Sequence, residues 1–156
     1  MLHLSRWADT VAELGRLRIE ATLENLEVAA EFVQRHADRF GLGAKKWVGL
    51  ALTFEEAFVN ICHYAYPGGG GEVELACGAE GDAFVVELAD EGVAFDVAAV
   101  PAPVPAPDTT ADIMDRPPGG LGILFIRRYS DEMRYRRDEG RNILHIIMRK
   151  DCGVDG

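Results

Sequence analysis

The sequence predicts an α+β fold, a two-layer sandwich with helices packed on one face of a mixed, mainly antiparallel sheet. Three observations predict it. Two pairs of short β-rich runs are joined by tight polar turns, 72–77 with 83–89 and 133–138 with 142–149, which is the pattern of hairpins. Before and between them lie longer stretches whose apolar residues recur at three and four positions, the helical period. The chain has 156 residues, 48% hydrophobic and 27% charged. That is the size of one domain with enough apolar surface for a core, so 1–156 is read as a single domain.

The elements follow in order. Leu4, Trp7, Ala8, Val11 and Leu14 stand at helical spacing, so a short N-terminal helix is expected over 1–15, ahead of a core of about 16–150. Arg18 to Leu23 alternates, with Ile19, Ala21 and Leu23 on one face, and reads as a strand. Asn25 is placed to cap a helix that runs to about Phe40, turns Leu26, Ala29, Ala30 and Val33 inward, and is closed by Gly41-Leu42-Gly43. A second helix starts near Ala44 and ends at Pro67 and the glycine run 68–71. Its expected core positions are Val48, Ala51, Leu52, Phe58 and Val59. The first hairpin follows, broken by Asp90-Glu91-Gly92. Residues 96–118, rich in Pro, Ala and Asp, are expected to form a mobile loop. Gly119-Gly120-Leu121-Gly122 then opens a helix, ILFIRRYSDEMR, before the last hairpin around Glu139-Gly140.

Charge narrows the function. The formal charge is −10, from 16 Lys and Arg against 26 Asp and Glu, which argues against a nucleic-acid binder with its basic face. No apolar run is long enough to span a membrane. Arg6, Asp9 and Glu13 stand where a signal peptide needs an apolar core. Three cysteines without a C-x-x-C pair fit neither a disulfide framework nor a structural zinc site. A cytoplasmic protein is therefore expected. From Trp47 to Asp115 there is no Lys or Arg but there are 13 acidic residues, whereas eight of the 16 basic residues fall between Arg127 and Lys150. An anionic ligand near the middle of the chain would need a metal, backbone N–H groups or a helix N-terminus to offset its charge.

Three short constellations carry chemistry. Glu56 and Asn60 are four residues apart on a helix, so they share a face. An amide oxygen there suits Mg²⁺, and the carboxylate suits proton acceptance. Such a pair is also common on solvated helices, and Glu55 points about 100° away. Asp90-Glu91-Gly92 is either a plain turn or a carboxylate that accepts the exocyclic amine of adenine, with Gly92 letting the base approach the backbone. Gly119-Gly120-Leu121-Gly122 at a helix start is either a permissive loop or a phosphate cradle made of backbone N–H groups. It is neither a P-loop nor a dinucleotide fingerprint.

The order of these constellations is more specific than any of them alone, and it resembles a GHKL-type (Bergerat) ATP-binding domain. Within that superfamily, LALTFEEAFVNICHYAYP and RPPGGLGILFIRRYSDEMRYRRDEGRNILHIIMRK resemble bacterial anti-sigma-factor serine/threonine kinases, over roughly residues 16–150. The resemblance implies a Bergerat two-layer sandwich, Glu56 as catalytic base and Asn60 as the Mg²⁺ ligand within the ATP site. It also implies Asp90 and Gly92 as the adenine site. Gly119, Gly120, Leu121 and Gly122 would be the phosphate site, and 96–118 an ATP lid that carries Arg116, the basic residue next to the glycines. The implied cofactors are ATP and Mg²⁺. The implied partners are a STAS-type anti-sigma antagonist, phosphorylated on serine, a sigma factor, and a second copy in a homodimer. The N-terminal helix lies outside the family core and is open to dimer or partner contacts. His145 stands where many relatives carry a Thr that assists adenine through water, and is read equally well as a strand histidine away from the nucleotide. Tyr64 is read as packing. The alternative function is a non-catalytic nucleotide-binding regulatory module, against which Glu56 argues. A sensor-kinase fragment would need an upstream phospho-acceptor histidine on a dimerisation helix, and only His3 and His36 precede the Glu56 helix.

Overall fold

A computed structural model describes residues 10–94 and 129–150. Five strands, β1 (Ala12–Glu20), β2 (Glu72–Glu80), β3 (Ala83–Asp90), β4 (Glu132–Asp138) and β5 (Arg141–Arg149), form one sheet in the order β1-β2-β3-β5-β4. All four pairings are antiparallel. Two helices, α1 (Leu26–Phe40) and α2 (Ala44–Asn60), cover one face. The α+β sandwich read from the sequence is the one observed.

Strand alternation and helical period together build the core. Val73, Leu75 and Cys77 of β2, Phe84, Val86 and Leu88 of β3, and Leu144, Ile146 and Met148 of β5 face the helices. They meet Ala29, Phe32, Val33 and Ala37 of α1 and Leu50, Phe54, Ala57 and Phe58 of α2. The rings of Phe54 and Phe58, one turn apart, lie 5.9 Å from each other. Every residue of the central strand β3 is buried, because Ala83 and Val85 join Ala76 and Ile147 in a second cluster on the helix-free face. Burial pushes the thiol of Cys77 up to about 12, so it packs as an apolar group.

Local signals set the helix ends. Gly41 closes α1 in the left-handed region, at φ 92°, with its N–H bonded to the carbonyls of Ala37 and Asp38. Asn25 occupies the N-cap position without making a side-chain cap bond. Its Nδ2 donates instead to the Glu20 carbonyl at 2.9 Å and ties the helix start to the end of β1. Where α2 ends, the chain continues as one π-helical turn, Ile61–Ala65, a local widening often found at functional sites.

Four expectations are corrected. Residues 12–14 belong to β1 and not to an N-terminal helix; 1–9 lie outside the described residues. Pairing of β1 with β2 (Ala12 opposite Ala79, Arg16 opposite Ala76) overrides a short helical spacing. The strand expected at 18–23 ends at Glu20, and Leu23–Asn25 is a 3-10 turn. In α2 the period was right and Phe58 is buried as expected, but the helix is turned at other positions: Val48 and Leu52 are 58% and 37% exposed, and Leu50, Phe54 and Ala57 join Phe58 in the core. Finally, the helix read as ILFIRRYSDEMR does not reach its last residues, because Glu132 already pairs in β4 opposite Ile147. The loop 96–118 and the glycines 119–122 lie outside the described residues.

The corrected phase of α2 is directly testable. Phe54→Ala should cost about 3–5 kcal/mol, whereas Val48→Ala should stay within about 0.5 kcal/mol, both read from urea unfolding curves.

Candidate functional site

The end of α2 delivers two polar side chains toward the end of the sheet where β3 stops and β5 begins. Asn60 is 2% exposed, yet neither atom of its amide has a hydrogen-bond partner among the described residues. Leaving such a group unpaired costs about 1–3 kcal/mol. The side chain lines a narrow cleft with Ala57, Ile61, Leu88, Asp90, Tyr135, Asn142 and Leu144. A buried carbonyl oxygen on the same cleft as a carboxylate fits the donor set of a hard cation that takes its other ligands from water or phosphate. Among the described residues, no cluster of three or more His, Cys, Asp or Glu could hold a metal by itself.

Asp90, the last residue of β3, lines the same cleft and is 4% exposed. Its Oδ1 accepts the Gly92 N–H at 2.8 Å and the Asn142 Nδ2 at 2.9 Å. Burial pushes its carboxyl above the ordinary range, while those two hydrogen bonds and the charges of Arg137 and Arg141 pull the other way. Gly92 is required by packing: a Cβ there would overlap the carbonyl of Ala65. The Val93 N–H completes the contact by donating to that carbonyl at 2.8 Å. The close approach that glycine permits is therefore to the π-helical turn that follows Asn60.

Glu56 lies one turn before Asn60, half-buried on the flank of α2, and is not among the residues that line the narrow cleft. Partial burial, and then the charge of Glu55, hold its carboxyl above the usual glutamate value. A base with a raised pKa is a stronger proton acceptor once ionised. The structure thus brings Asn60, Asp90 and Gly92 to one end of the sheet, with Glu56 one turn up the helix. Arg116, Gly119, Gly120, Leu121 and Gly122 lie outside the described residues.

His145 is not on the cleft. In β5 the residues Asn142, Leu144, Ile146 and Met148 face the helices, so His145 faces the opposite side, with Nε2 3.8 Å from Glu87 Oε1. The alternation of NILHIIMR contains this answer. The place on the cleft is taken by Asn142, which sequence reasoning missed. Asn142 lies opposite Asp90 in register, and only strand pairing reveals that. Its Oδ1 accepts from Tyr135 Oη at 2.7 Å and from Arg137 at 2.9 Å.

Tyr66 was also missed. Its hydroxyl donates to the Glu72 carbonyl at 2.6 Å and accepts the Glu91 N–H at 2.8 Å. It pins the exit of α2 to both the start of β2 and the Asp90 turn. Tyr64, by contrast, is exposed.

Residues 19–148 match the family described as "Histidine kinase-like ATPase domain". A Bacillus cereus (strain G9842) protein named "Serine-protein kinase RsbW" is 27% identical over 142 residues, covering 90% of this chain and 89% of its own. A chain of the SiaB-SiaC complex from Pseudomonas aeruginosa superimposes with a TM-score of 0.62 at 18% identity, over 87% of this chain and 89% of that one. The RsbU and RsbW domains of a Mycobacterium tuberculosis protein give a TM-score of 0.58 at 13% identity, over 87% of this chain and 32% of that one. The two solved structures share the fold. With the match extending over both helices and into all five strands, this chain belongs to the histidine kinase-like ATPase domain family.

Proposed function

We propose that this chain is an ATP-dependent protein serine/threonine kinase that acts as an anti-sigma factor in a partner switch. It phosphorylates a serine on a STAS-type antagonist and otherwise holds a sigma factor, working in the cytoplasm as a homodimer. The observation that carries the reading is the shared cleft of Asn60 and Asp90 with Glu56 one turn away. The near full-length similarity to a serine-protein kinase supports it.

The roles follow from geometry and chemistry. Asp90 accepts the exocyclic amine of adenine. Asn60 would hold Mg²⁺ through its amide oxygen, and the bound ion would supply neutralising charge to the phosphates. Arg116 and the segment Gly119, Gly120, Leu121 and Gly122 hold the phosphates, and 96–118 serves as the lid. The Glu56 carboxylate takes the proton of the incoming serine hydroxyl as its oxygen bonds to the γ-phosphorus, while the bridging P–O bond breaks and ADP leaves. Phosphoryl transfer asks mainly for position and charge, with general-base help worth about 10²–10⁴-fold.

Two predictions test this reading. Asp90→Asn should abolish ATP binding in calorimetry while circular dichroism stays native. Unchanged affinity would remove Asp90 from the site.

Glu56→Gln should bind ATP nearly as well as wild type and transfer phosphate to a co-purified antagonist about 10²–10⁴-fold more slowly. Because the Glu56 carboxyl lies above the usual glutamate range, the rate should fall on acidification at a higher pH than an ordinary glutamate would give. Glu55→Gln removes a neighbouring like charge, so it should move that limb to lower pH and leave the plateau close to wild type. Tight ATP binding without transfer by any of these proteins would favour the non-catalytic module.

A further inference from the structure

We propose that Tyr66 is a positioning residue that couples the two ends of the cleft, so that a ligand held on the Asn60 side raises the affinity for a base on the Asp90 side, and the reverse. This rests on the reading of the cleft as the nucleotide site, and adds how its two ends act on one another.

The chain after β3 has run out of ladder partners. β3 ends at Asp90, so the N–H groups of the next three residues need acceptors from elsewhere. Gly92 donates to Asp90 Oδ1 at 2.8 Å, inside the turn itself. The other two donate to one short segment. The Glu91 N–H reaches Tyr66 Oη at 2.8 Å, and the Val93 N–H reaches the Ala65 carbonyl at 2.8 Å. That segment closes the π-helical turn that begins directly after Asn60. The conformation in which the turn holds Asp90 is thus set by the same stretch of chain that carries Asn60, and both residues line the cleft.

The two ties differ in kind. Ala65 contributes a backbone carbonyl, which any residue would supply. Tyr66 contributes a side-chain hydroxyl at the end of a rigid ring. The same hydroxyl donates to the Glu72 carbonyl at 2.6 Å, which fixes its oxygen to the start of β2. Gly71 gives the ring its room, since a Cβ there would overlap Cε1, Cε2 and Cζ. Tyr66 does not line the cleft; it acts through the backbone of Glu91. Glu72 and Glu91 are exposed, so water can serve both groups when the hydroxyl is removed, and the fold stands. A ligand at either end orders this joint. The ligand at the other end then meets a joint already ordered and binds more tightly. By linkage the two effects are equal.

The test uses two half-ligands on the full chain, adenosine and Mg²⁺ with inorganic tripolyphosphate, each titrated alone and with the other saturating. The titrations are followed by NMR, which reads affinities into the millimolar range. Wild type should bind adenosine about tenfold more tightly when Mg²⁺ and tripolyphosphate are present, within the range usual for coupled sites. Tyr66→Phe keeps the ring and should cut that factor by about fivefold, the worth of one hydrogen bond. Gly71→Ala keeps the hydroxyl but displaces the ring, and should cut the factor likewise. Tyr64→Phe, the same change on an exposed ring two residues earlier, should keep the wild-type factor. A merely structural tyrosine would weaken both half-ligands together and leave the factor as it is. An unchanged factor in Tyr66→Phe therefore overturns the proposal alone, as does a factor of about one in wild type. Absence of binding by wild type to adenosine and to ATP overturns the reading of the cleft and the proposal with it.

Discussion

The Val93 N–H reaches the carbonyl of Ala65 at 2.8 Å, and Gly92 beside it leaves no room for even a methyl group against the same backbone. This contact welds the turn after α2 onto the turn after β3. Asn60 and Asp90 are 30 positions apart in the chain, and they share a cleft because these two turns touch. The π-helical step at 61–65 takes part in the same geometry. It widens the helix exit by one residue and carries the Ala65 carbonyl onto the Asp90 turn. Tyr66 then clamps the arrangement from outside, with a single hydroxyl serving an acceptor at the start of β2 and a donor in the turn after β3. Gly71 makes space for that ring, since a Cβ there would overlap it.

Much of this was legible in the sequence, for identifiable reasons. Short hairpins are announced by local alternation and turn residues, and both pairs of strands stand within two or three residues of their expected bounds. The Asp90 turn and the Glu56–Asn60 spacing are local patterns too. What sequence reading lost was relational. The strand identity of residues 12–20 depends on a partner about 60 residues away, and nothing inside the segment reveals it. The inward face of α2 was misjudged at Val48 and Leu52 because apolar residues stand on two sides of the helix, and only the sheet decides which side is covered. Asn142 was invisible because its meaning lies in its register with Asp90. His145 was left open between a nucleotide contact and a strand histidine away from it, although period-two alternation already sets it on the face away from the cleft.

The lopsided charge of the chain is resolved by the sheet. Glu74, in the stretch without basic residues, is buried on β2. It meets Arg141 from β5 at 2.9 Å and Arg16 from β1 at 3.3 Å. Burial would push its carboxyl up, but the two guanidinium groups hold it below the ordinary range. Glu132 is shared by Arg134 and Arg149. The basic C-terminal stretch therefore spends part of its charge on structural carboxylates and part, through Arg137, on the Asn142 amide. Exposed pairs such as Glu132 with Arg134 contribute little to stability. Their value here lies in fixing strand register and side-chain orientation around the cleft.

The bond between Asp90 and Asn142 spans 52 residues. The β2–β3 hairpin and the α1–α2 pair close over far shorter stretches, and contacts so distant in sequence form only after the entropy of a long loop has been overcome. A partly folded chain can therefore hold its first helices and first hairpin while Asp90 still lacks its partner. During synthesis, β5 is delivered after every other strand described here. Competence to bind ligand is thereby deferred: while the chain is still being made, the first helices and the first hairpin can pair but the cleft cannot form, and β5 brings Asn142 to Asp90 in the same step that adds Leu144, Ile146 and Met148 to the core.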